Sequence, residues 1–330
     1  MNARQPSRPD GSVVIAVDLM GGDGDAGVRL RACLRFLRQH PRARLRLFIE
    51  EAFLNSHTDG IHHPRLELIP CGCSVAMDES PSKALRRKQD SSLARAVADV
   101  GHGSQAFLSA GNTGAVIAFA RHFQPLLPGV EKPALVAFLP SPAGSTLFLD
   151  VGASVSADSE QLLQFGLMGA AMAQALRPDS QPRVALLNIG TETIKGHDTI
   201  WQADRLLRES GLQYAGYCEG FDLFSGRFDV IVTEGFVGNV ALKSCEGMAH
   251  HLLQANRWLP RLPLLRRFAT IPALHPSRHN GAVLLGFDAL LVKSHGACDI
   301  KSYLSALRSC WDLACRQILG DLKIHLENTL

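Results

Sequence analysis

The sequence lacks the paired cysteine and histidine motifs that hold metal ions. Its eight cysteines include no Cys-x-x-Cys pair, and its thirteen histidines include no His-Glu-x-x-His motif. Zinc sites in proteins depend on such spacings. We therefore expect no metal ion, and we expect the cysteines to be reduced thiols rather than a disulfide framework.

Long apolar runs and net charge are missing as well. No stretch approaches the roughly 20 apolar residues that a membrane-spanning helix requires, and the first residues form a polar segment without the apolar core of a signal peptide. The 34 Lys and Arg residues nearly cancel the 31 Asp and Glu residues, which leaves a net charge of +3. So small a charge provides no global field for gripping nucleic acid. We expect a cytoplasmic protein that binds no nucleic acid.

Three common catalytic loops are absent too. The chain has no Gly-x-Ser-x-Gly elbow, no P-loop, and no cysteine in a strand-to-helix turn with an obvious histidine partner. An enzyme with this sequence therefore has no evident nucleophile of its own, and a bound anion that attacks the substrate would remove the need for one.

Glycine, in contrast, is abundant and clustered. The chain has 29 glycines in 330 residues, above the usual frequency of about 7%. Glycine loops follow short apolar runs, and a helical pattern of apolar residues follows each loop. The runs lie at 13–17, 106–108, 183–187, 228–232 and 290–292, and two more strands are expected near 134–139 and 146–151.

This alternation predicts an α/β fold with a doubly wound, mostly parallel sheet. In such sheets the loops after the strands meet at one edge, where ligands bind. We therefore expect the glycine clusters to converge. The expected organisation is a polar tail at 1–12 and a single domain at 13–330, with a helical insertion near 247–280, where the chain has arginines and leucines but no acidic residue.

The first glycine loop is open to two interpretations. Gly22, Gly24 and Gly27 match the Gly-x-Gly-x-x-Gly fingerprint of dinucleotide-binding proteins, and Glu50 stands near the distance of a ribose-binding carboxylate. A nicotinamide-dependent dehydrogenase is therefore an alternative. Against it, three carboxylates crowd the turn where a pyrophosphate would lie, and like charges at that distance are costly. They belong to Asp18, Asp23 and Asp25.

The loop at 109–114 is a better candidate for binding an anion. Its sequence, Ser-Ala-Gly-Asn-Thr-Gly, combines small residues, hydroxyl donors and the start of a predicted helix. A tight turn with an Asn or Thr helix cap explains the same pattern. Three lysines in later strand-end loops, Lys195, Lys243 and Lys293, favour a pocket for a small, multiply charged anion.

Several motifs together resemble the bacterial phosphate acyltransferase family, the PlsX type. They occur in the family's order from about residue 13 to the end of the chain. They lie at 17–23, 77–81, 84–92, 109–115, 150–153, 188–190 with 195–196, 235–243 with 246–247, and 293–296.

The resemblance implies transfer of a fatty acyl group from acyl-acyl carrier protein to inorganic phosphate, which gives acyl phosphate for phospholipid synthesis. It also implies a fold related to the phosphotransacetylases and isocitrate dehydrogenases, no cofactor, and a homodimer. A noncatalytic regulator that binds acyl carrier protein or lipid remains a further alternative.

On this basis we assign catalytic roles to Lys195, Asn239 and Lys293, which stabilise charge, and to His295 as a candidate proton donor. A structural histidine that donates to the backbone is the alternative for His295. The residues assigned to phosphate or substrate binding are Asp18, Gly21, Gly22, Asp23, Ser109, Gly111, Asn112, Thr113, Gly114, Asn188, Gly190, Gly235, Gly238 and Lys243.

The sequence departs from the family pattern at a few of these loops. Ala26 stands where Pro is usual, and Ser154 and Ser156 stand where the family has Asn and Asp. Asn280 replaces a usual Gly. If the family's side chains contact substrate at 154 and 156, serine shortens the reach and removes a charge.

The acid-free segment has the composition of an element that lies at a lipid interface. Trp258 and Phe268 stand among leucines and arginines there. We expect peripheral contact with the inner face of the cell membrane through 251–274. A dimer-core hairpin with solvated arginines is the alternative.

Overall fold

The computed structural model describes residues 11–255 and 280–327, and the chain forms two compact units. Unit 1 consists of Met1–Pro133 with Asn280–Leu330, and unit 2 of Ala134–His279. The acid-free segment falls mostly outside the described residues, so the expected membrane contact at 251–274 is described only as far as residue 255.

Unit 1 contains a six-stranded sheet in the order β3-β2-β1-β4-β11-β10. Neighbouring strands from β3 to β11 are parallel, and β10 is antiparallel to β11. The strands are β1 (Val13–Asp18), β2 (Ala43–Glu50), β3 (Leu66–Cys71), β4 (Ala106–Ser109), β10 (Ala282–Leu285) and β11 (Leu290–Lys293).

Helices fill the connections of this sheet. The described helices of unit 1 are α1 (Ala26–Gln39), α2 (Glu51–His57), α3 (Pro81–Arg87), α4 (Ser92–Ala98), α5 (Thr113–Phe123), α9 (Ile300–Cys315) and α10 (Ile318–Glu327). α1 shows why such helices form: Asp25 caps its first turn by accepting from the N–H of Gly27, and Leu30, Cys33 and Leu37 bury one face.

Unit 2 contains a five-stranded sheet in the order β5-β6-β9-β7-β8. β5 is antiparallel to β6, and the other neighbours are parallel. The strands are β5 (Ala134–Ser141), β6 (Gly144–Leu149), β7 (Val184–Leu187), β8 (Tyr214–Cys218) and β9 (Val230–Val232). The described helices are α6 (Ser159–Leu176), α7 (Asp198–Glu209) and α8 (Gly235–Ala255), with a 3₁₀ turn at Gly220–Phe224.

The prediction of a mostly parallel α/β sheet is confirmed, and each predicted strand is present. β1 is buried along its whole length, as its apolar run predicts for a parallel strand covered on both faces. α8 continues through 247 as far as Ala255, so the described part of the insertion expected near 247–280 is helical, and the insertion itself stays a prediction. No helix of the described residues is long and apolar enough to cross a membrane.

Candidate functional site

Three of the predicted site residues lie side by side at the carboxyl edge of the unit 1 sheet. The strand register pairs Asp18 at the end of β1 with Ser109 at the end of β4, and Ser109 with Lys293 at the end of β11. All three are buried, with exposed fractions of 1%, 0% and 9%. The sheet therefore places the Cα atoms of an aspartate, a serine and a lysine in one row.

Both carboxylate oxygens of Asp18 accept hydrogen bonds from other groups of the protein. Oδ1 accepts from Ser92 Oγ at 2.6 Å and from the N–H of Gly21 at 3.2 Å, and Oδ2 accepts from Ser109 Oγ at 2.7 Å. Burial raises the pKa of Asp18, while the two hydroxyl donors oppose that shift. The side chain thus shapes the loops around it, and its direct contact with phosphate stays a prediction.

The loop at 109–114 is held from several sides. Ser109 Oγ accepts from the N–H of Gly111 at 2.9 Å. Asn112 caps α5 by accepting from the N–H of Ala115 at 3.0 Å, and its amide donates to the carbonyl of Met77 at 2.6 Å. The structure therefore shows that Asn112 caps a helix, which was one of the two explanations that the sequence pattern allowed.

The Asn112 cap uses the N–H of Ala115, the third residue of α5. Thr113 and Gly114 are the first two residues of α5, and both are partly exposed. The N–H groups of a helix's first turn have no partner within the helix and carry a partial positive charge. The helix cap and anion binding by main-chain N–H groups are therefore compatible here.

The turn after β1 lies against this loop. A Cβ on Gly21 would collide with Asp18 Oδ2 and would stand 2.8 Å from the nitrogen of Gly111, so only glycine fits. Gly22 has a φ of +118°, which also requires glycine. Asp23 is exposed and donates its N–H to the carbonyl of Gly296 at 3.0 Å. The turn thus joins the loops after β4 and β11.

Lys293 and His295 begin the loop after β11. The ammonium group of Lys293 donates to the carbonyl of Ser294. Asn280 holds this loop: it donates to Ser294 Oγ at 2.8 Å and accepts from the N–H of His295 at 2.9 Å. The side chain of His295 is exposed. The departure from Gly at 280 therefore has a structural role in fixing the His295 backbone.

In unit 2 the corresponding centre is Asp150, which follows β6 and is fully buried. Its carboxylate accepts from the N–H groups of Leu135, Gly152, Ala153 and Ser154 at 2.8–3.0 Å. The hydroxyl of Ser154 donates to it at 2.8 Å as well. The departure at 154 thus keeps a donor to this carboxylate.

The start of α8 packs on this loop. A Cβ on Gly235 would collide with the carbonyl oxygen of Ser154, and one on Gly238 with that of Asp150. Asn239 is exposed, and its amide donates to the carbonyl of Val151 at 3.1 Å. The two glycines therefore serve close helix packing, and their contact with substrate stays a prediction.

The third loop of unit 2 follows β7. The Asn188 amide donates to the carbonyl of Lys195 at 3.0 Å and so closes the loop. Gly190 is buried within it, and the Lys195 side chain is exposed. In contrast, Lys243 lies two turns into α8 and forms an ion pair with Glu246 at 2.8 Å.

The sheet order brings the loops together within each unit. In unit 1 the loops after β1, β4 and β11 are neighbours, and in unit 2 those after β6, β9 and β7 are neighbours. The predicted convergence is confirmed within each unit by itself. Among the described residues, no three His, Cys, Asp or Glu side chains form a group that could hold a metal ion.

Four structurally important residues were missed as site candidates: Ser92, Arg29, Asp150 and Asn280. Asp150 was quoted within a family motif, and Asn280 as a departure from one. Ser92 closes the family motif at 84–92, but its contact with Asp18 could not be read from the sequence, because the two residues lie 74 positions apart along the chain.

The dinucleotide alternative meets a geometric obstacle in the first loop. A pyrophosphate would need the N-terminus of α1, but the Asp25 carboxylate accepts from the N–H of Gly27 there at 2.8 Å. Glu50, the candidate ribose ligand, accepts instead from Ser74 Oγ at 2.7 Å. The dehydrogenase alternative is therefore not favoured.

Solved structures define the class of fold. A phosphotransacetylase from Streptococcus pyogenes matches with a TM-score of 0.63 at 13% identity, covering 95% of this chain and 94% of that one. A branched-chain phosphotransacylase from Enterococcus faecalis matches with a TM-score of 0.59 at 16% identity, covering 93% and 99%. The chain has the α/β fold of the phosphotransacylases.

Sequence comparison identifies the family. A family model described as "Fatty acid synthesis protein" matches residues 13–320. A protein of Paraburkholderia phytofirmans named phosphate acyltransferase is 40% identical over 332 residues, covering 96% of this chain and 90% of that protein. The chain belongs to the phosphate acyltransferase family.

Proposed function

We propose that the protein transfers a fatty acyl group from acyl-acyl carrier protein to inorganic phosphate and releases acyl phosphate for phospholipid synthesis. Family membership supports an acyl transfer to phosphate. The structural observation that carries the proposal is the row of Asp18, Ser109 and Lys293 beside the N-terminus of α5. A helix N-terminus and a buried ammonium group are suited to a multiply charged anion.

In the proposed reaction the phosphate is the nucleophile. One of its oxygens forms a bond with the thioester carbonyl carbon, the carbon–sulfur bond then breaks, and the carrier thiolate leaves and takes up a proton. Lys293 holds the phosphate end and stabilises negative charge during the transfer. We assign the same charge-stabilising role to Lys195 and Asn239, and the proton donation to His295.

The contacts of Lys293 support its role. Lys293 is nearly buried, and its backbone pairs in register with Ser109 in the sheet. A charge in a water-poor site acts more strongly than one in solvent. Lys195 is exposed, and its ammonium group has no hydrogen bond with a described residue, so it is free to meet a substrate.

A thiol-release assay tests the proposal. Long-chain acyl-acyl carrier protein is incubated with phosphate, and the free carrier thiol is followed by a colour reagent. We expect release only when phosphate is present, and a fall of about 100- to 1000-fold in kcat for Lys293→Met. Lys301→Met, an exposed lysine of α9, is the matched control. Absence of phosphate-dependent release at every chain length would refute the proposal, and carrier binding without release would favour the noncatalytic regulator.

We also propose that the protein is a homodimer in the cytoplasm and contacts the inner face of the membrane through 251–274. The acid-free, arginine-rich sequence supports the membrane contact. Flotation with anionic liposomes tests it: Leu264→Glu with Leu265→Glu should abolish flotation while the thiol-release activity on soluble substrate persists. Unchanged flotation would exclude a lipid role for these leucines.

A further inference from the structure

Arg29 is a buried arginine in an unfavourable position. It is the fourth residue of α1 and only 2% exposed. A positive charge near a helix N-terminus is disfavoured by the helix dipole, and a buried charge is costly unless it is hydrogen-bonded. Local conflicts of this kind tend to occur where a residue serves function.

The guanidinium group of Arg29 binds the backbone that leaves β1. Nε donates to the carbonyl of Leu19 at 2.7 Å, and Nη2 donates to the carbonyl of Met20 at 3.3 Å. A planar guanidinium can bridge two neighbouring acceptors in this way, whereas a lysine ammonium cannot hold both in the same geometry. Arg29 therefore fixes the two residues that precede the glycine turn.

The turn that Arg29 fixes reaches the loop at 109–114. A Cβ on Gly22 would stand 3.2 Å from Arg29 Nη1 and 3.0 Å from the Cβ of Ala110. A Cβ on Gly21 would stand 2.8 Å from Ser109 Oγ. The contacts therefore run from Arg29 through the Gly21–Gly22 turn to the Ser109–Gly111 loop, all within unit 1.

Arg29 also provides a positive charge to a buried cluster. Its charge lowers the pKa of Asp18 on β1, opposing the effect of burial, and acts in the same direction on Cys33 and Tyr303. Burial raises the pKa of Cys298, after β11, and the charge of Arg29 opposes that shift. Removing the guanidinium would leave the Asp18 carboxylate without this compensation.

We propose that Arg29 is a positioning residue for phosphate binding, which holds the Gly21–Gly22 turn against the Ser109–Gly111 loop. This inference rests on the proposed function, since it takes the loop as the phosphate site. Arg29 acts on phosphate binding through the turn, and the binding of the acyl donor does not depend on Arg29.

Steady-state kinetics of Arg29→Lys and Arg29→Met test the inference, with Arg121→Met, an exposed arginine at the end of α5, as the matched control. We expect the KM for phosphate to rise about tenfold or more in Arg29→Met and less in Arg29→Lys, with the KM for the acyl donor unchanged. A merely structural arginine would lower the active fraction and so kcat, leaving both KM values unchanged. That result, or an equal rise of both KM values, would overturn the inference.

Phosphate binding without an acyl donor separates this inference from the proposed function. Thermal unfolding is followed while inorganic phosphate is added. We expect phosphate to raise the Tm of the wild type and of Arg121→Met but not of Arg29→Met. If the wild type releases no thiol yet shows this pattern, the proposed function fails and the role of Arg29 stands. If phosphate raises the Tm of Arg29→Met and Arg29→Lys as much as that of the wild type, the inference fails. If Arg29→Met does not fold, the result for Arg29→Lys decides.

Discussion

Ser109 donates a hydrogen bond from its hydroxyl to Oδ2 of Asp18 at 2.7 Å, joining the carboxyl ends of two neighbouring strands, β4 and β1. The same hydroxyl oxygen accepts from the N–H of Gly111. The Asp18 carboxylate therefore determines the shape of the loop at 109–114 without being exposed to solvent.

Asp18→Asn should change how stability depends on pH. Burial raises the folded-state pKa of Asp18 above its ordinary 3.8, so the folded state holds this proton more tightly than the unfolded state. The stabilisation is complete below pH 3.8 and is lost as the pH rises through the folded-state pKa. The free energy of unfolding, measured with urea across that pH range, should therefore fall less with rising pH in Asp18→Asn than in the wild type. Parallel pH profiles for the two proteins would contradict this account.

Asp150→Asn should destabilise the protein by about 1.5–3 kcal/mol. The amide NH2 group that replaces one carboxylate oxygen is itself a donor, so it would face N–H groups that donate hydrogen bonds to that oxygen in the wild type. Ser154→Ala removes only one hydroxyl donor to the same carboxylate and should cost about 0.5–1.5 kcal/mol. Urea unfolding of both variants measures the difference. Equal losses would show that Asp150 does not organise the loop.

Gly238→Ala should destabilise the protein by about 1–3 kcal/mol, since the added methyl group collides with the backbone oxygen of Asp150. Gly247→Ala lies on the same helix, and its added methyl group meets no atom of the described residues within 4 Å. It should stabilise the helix by about 0.5–1 kcal/mol. Thermal unfolding of the two variants should show a lower Tm for Gly238→Ala and a higher Tm for Gly247→Ala. Two changes of Tm in the same direction would be inconsistent with this packing.

Cysteine labelling should follow burial. All eight cysteines are free, and Cys315 is the exposed one. Burial raises the pKa of Cys71 to about 11 and that of Cys218 to about 12, so few of these thiols ionise near neutral pH. In native protein iodoacetamide should modify Cys315 first, and the fully buried Cys33 and Cys310 only after unfolding. Mass spectrometry of the labelled peptides, with Cys315→Ser as control, measures this order.

Seven of the described strands and the main helices could be predicted from the sequence because their signals are local, whereas β2, β3, β8 and β10 were not predicted. A β-branched run such as 13–17 and helical spacing such as that of Leu30, Cys33 and Leu37 lie within a few residues of one another. The extent of α8 could not be predicted, because the absence of acidic residues after 247 resembles a boundary in composition. The helix itself continues through that position.

The sequence by itself determined the α/β class, the glycine loops and, through its ordered motifs, the family to which the chain belongs. It also supplied most of the candidate residues, since strand-end loops are recognisable one at a time. Only the tertiary structure decided what each side chain does there. Asp18 and Asp150 turn inward to hold loops, Asn112 caps a helix, and Ser92 and Arg29 join the site through contacts with the end of β1. The physical reason is that a hydrogen-bond partner depends on where distant segments meet, and no local pattern records that.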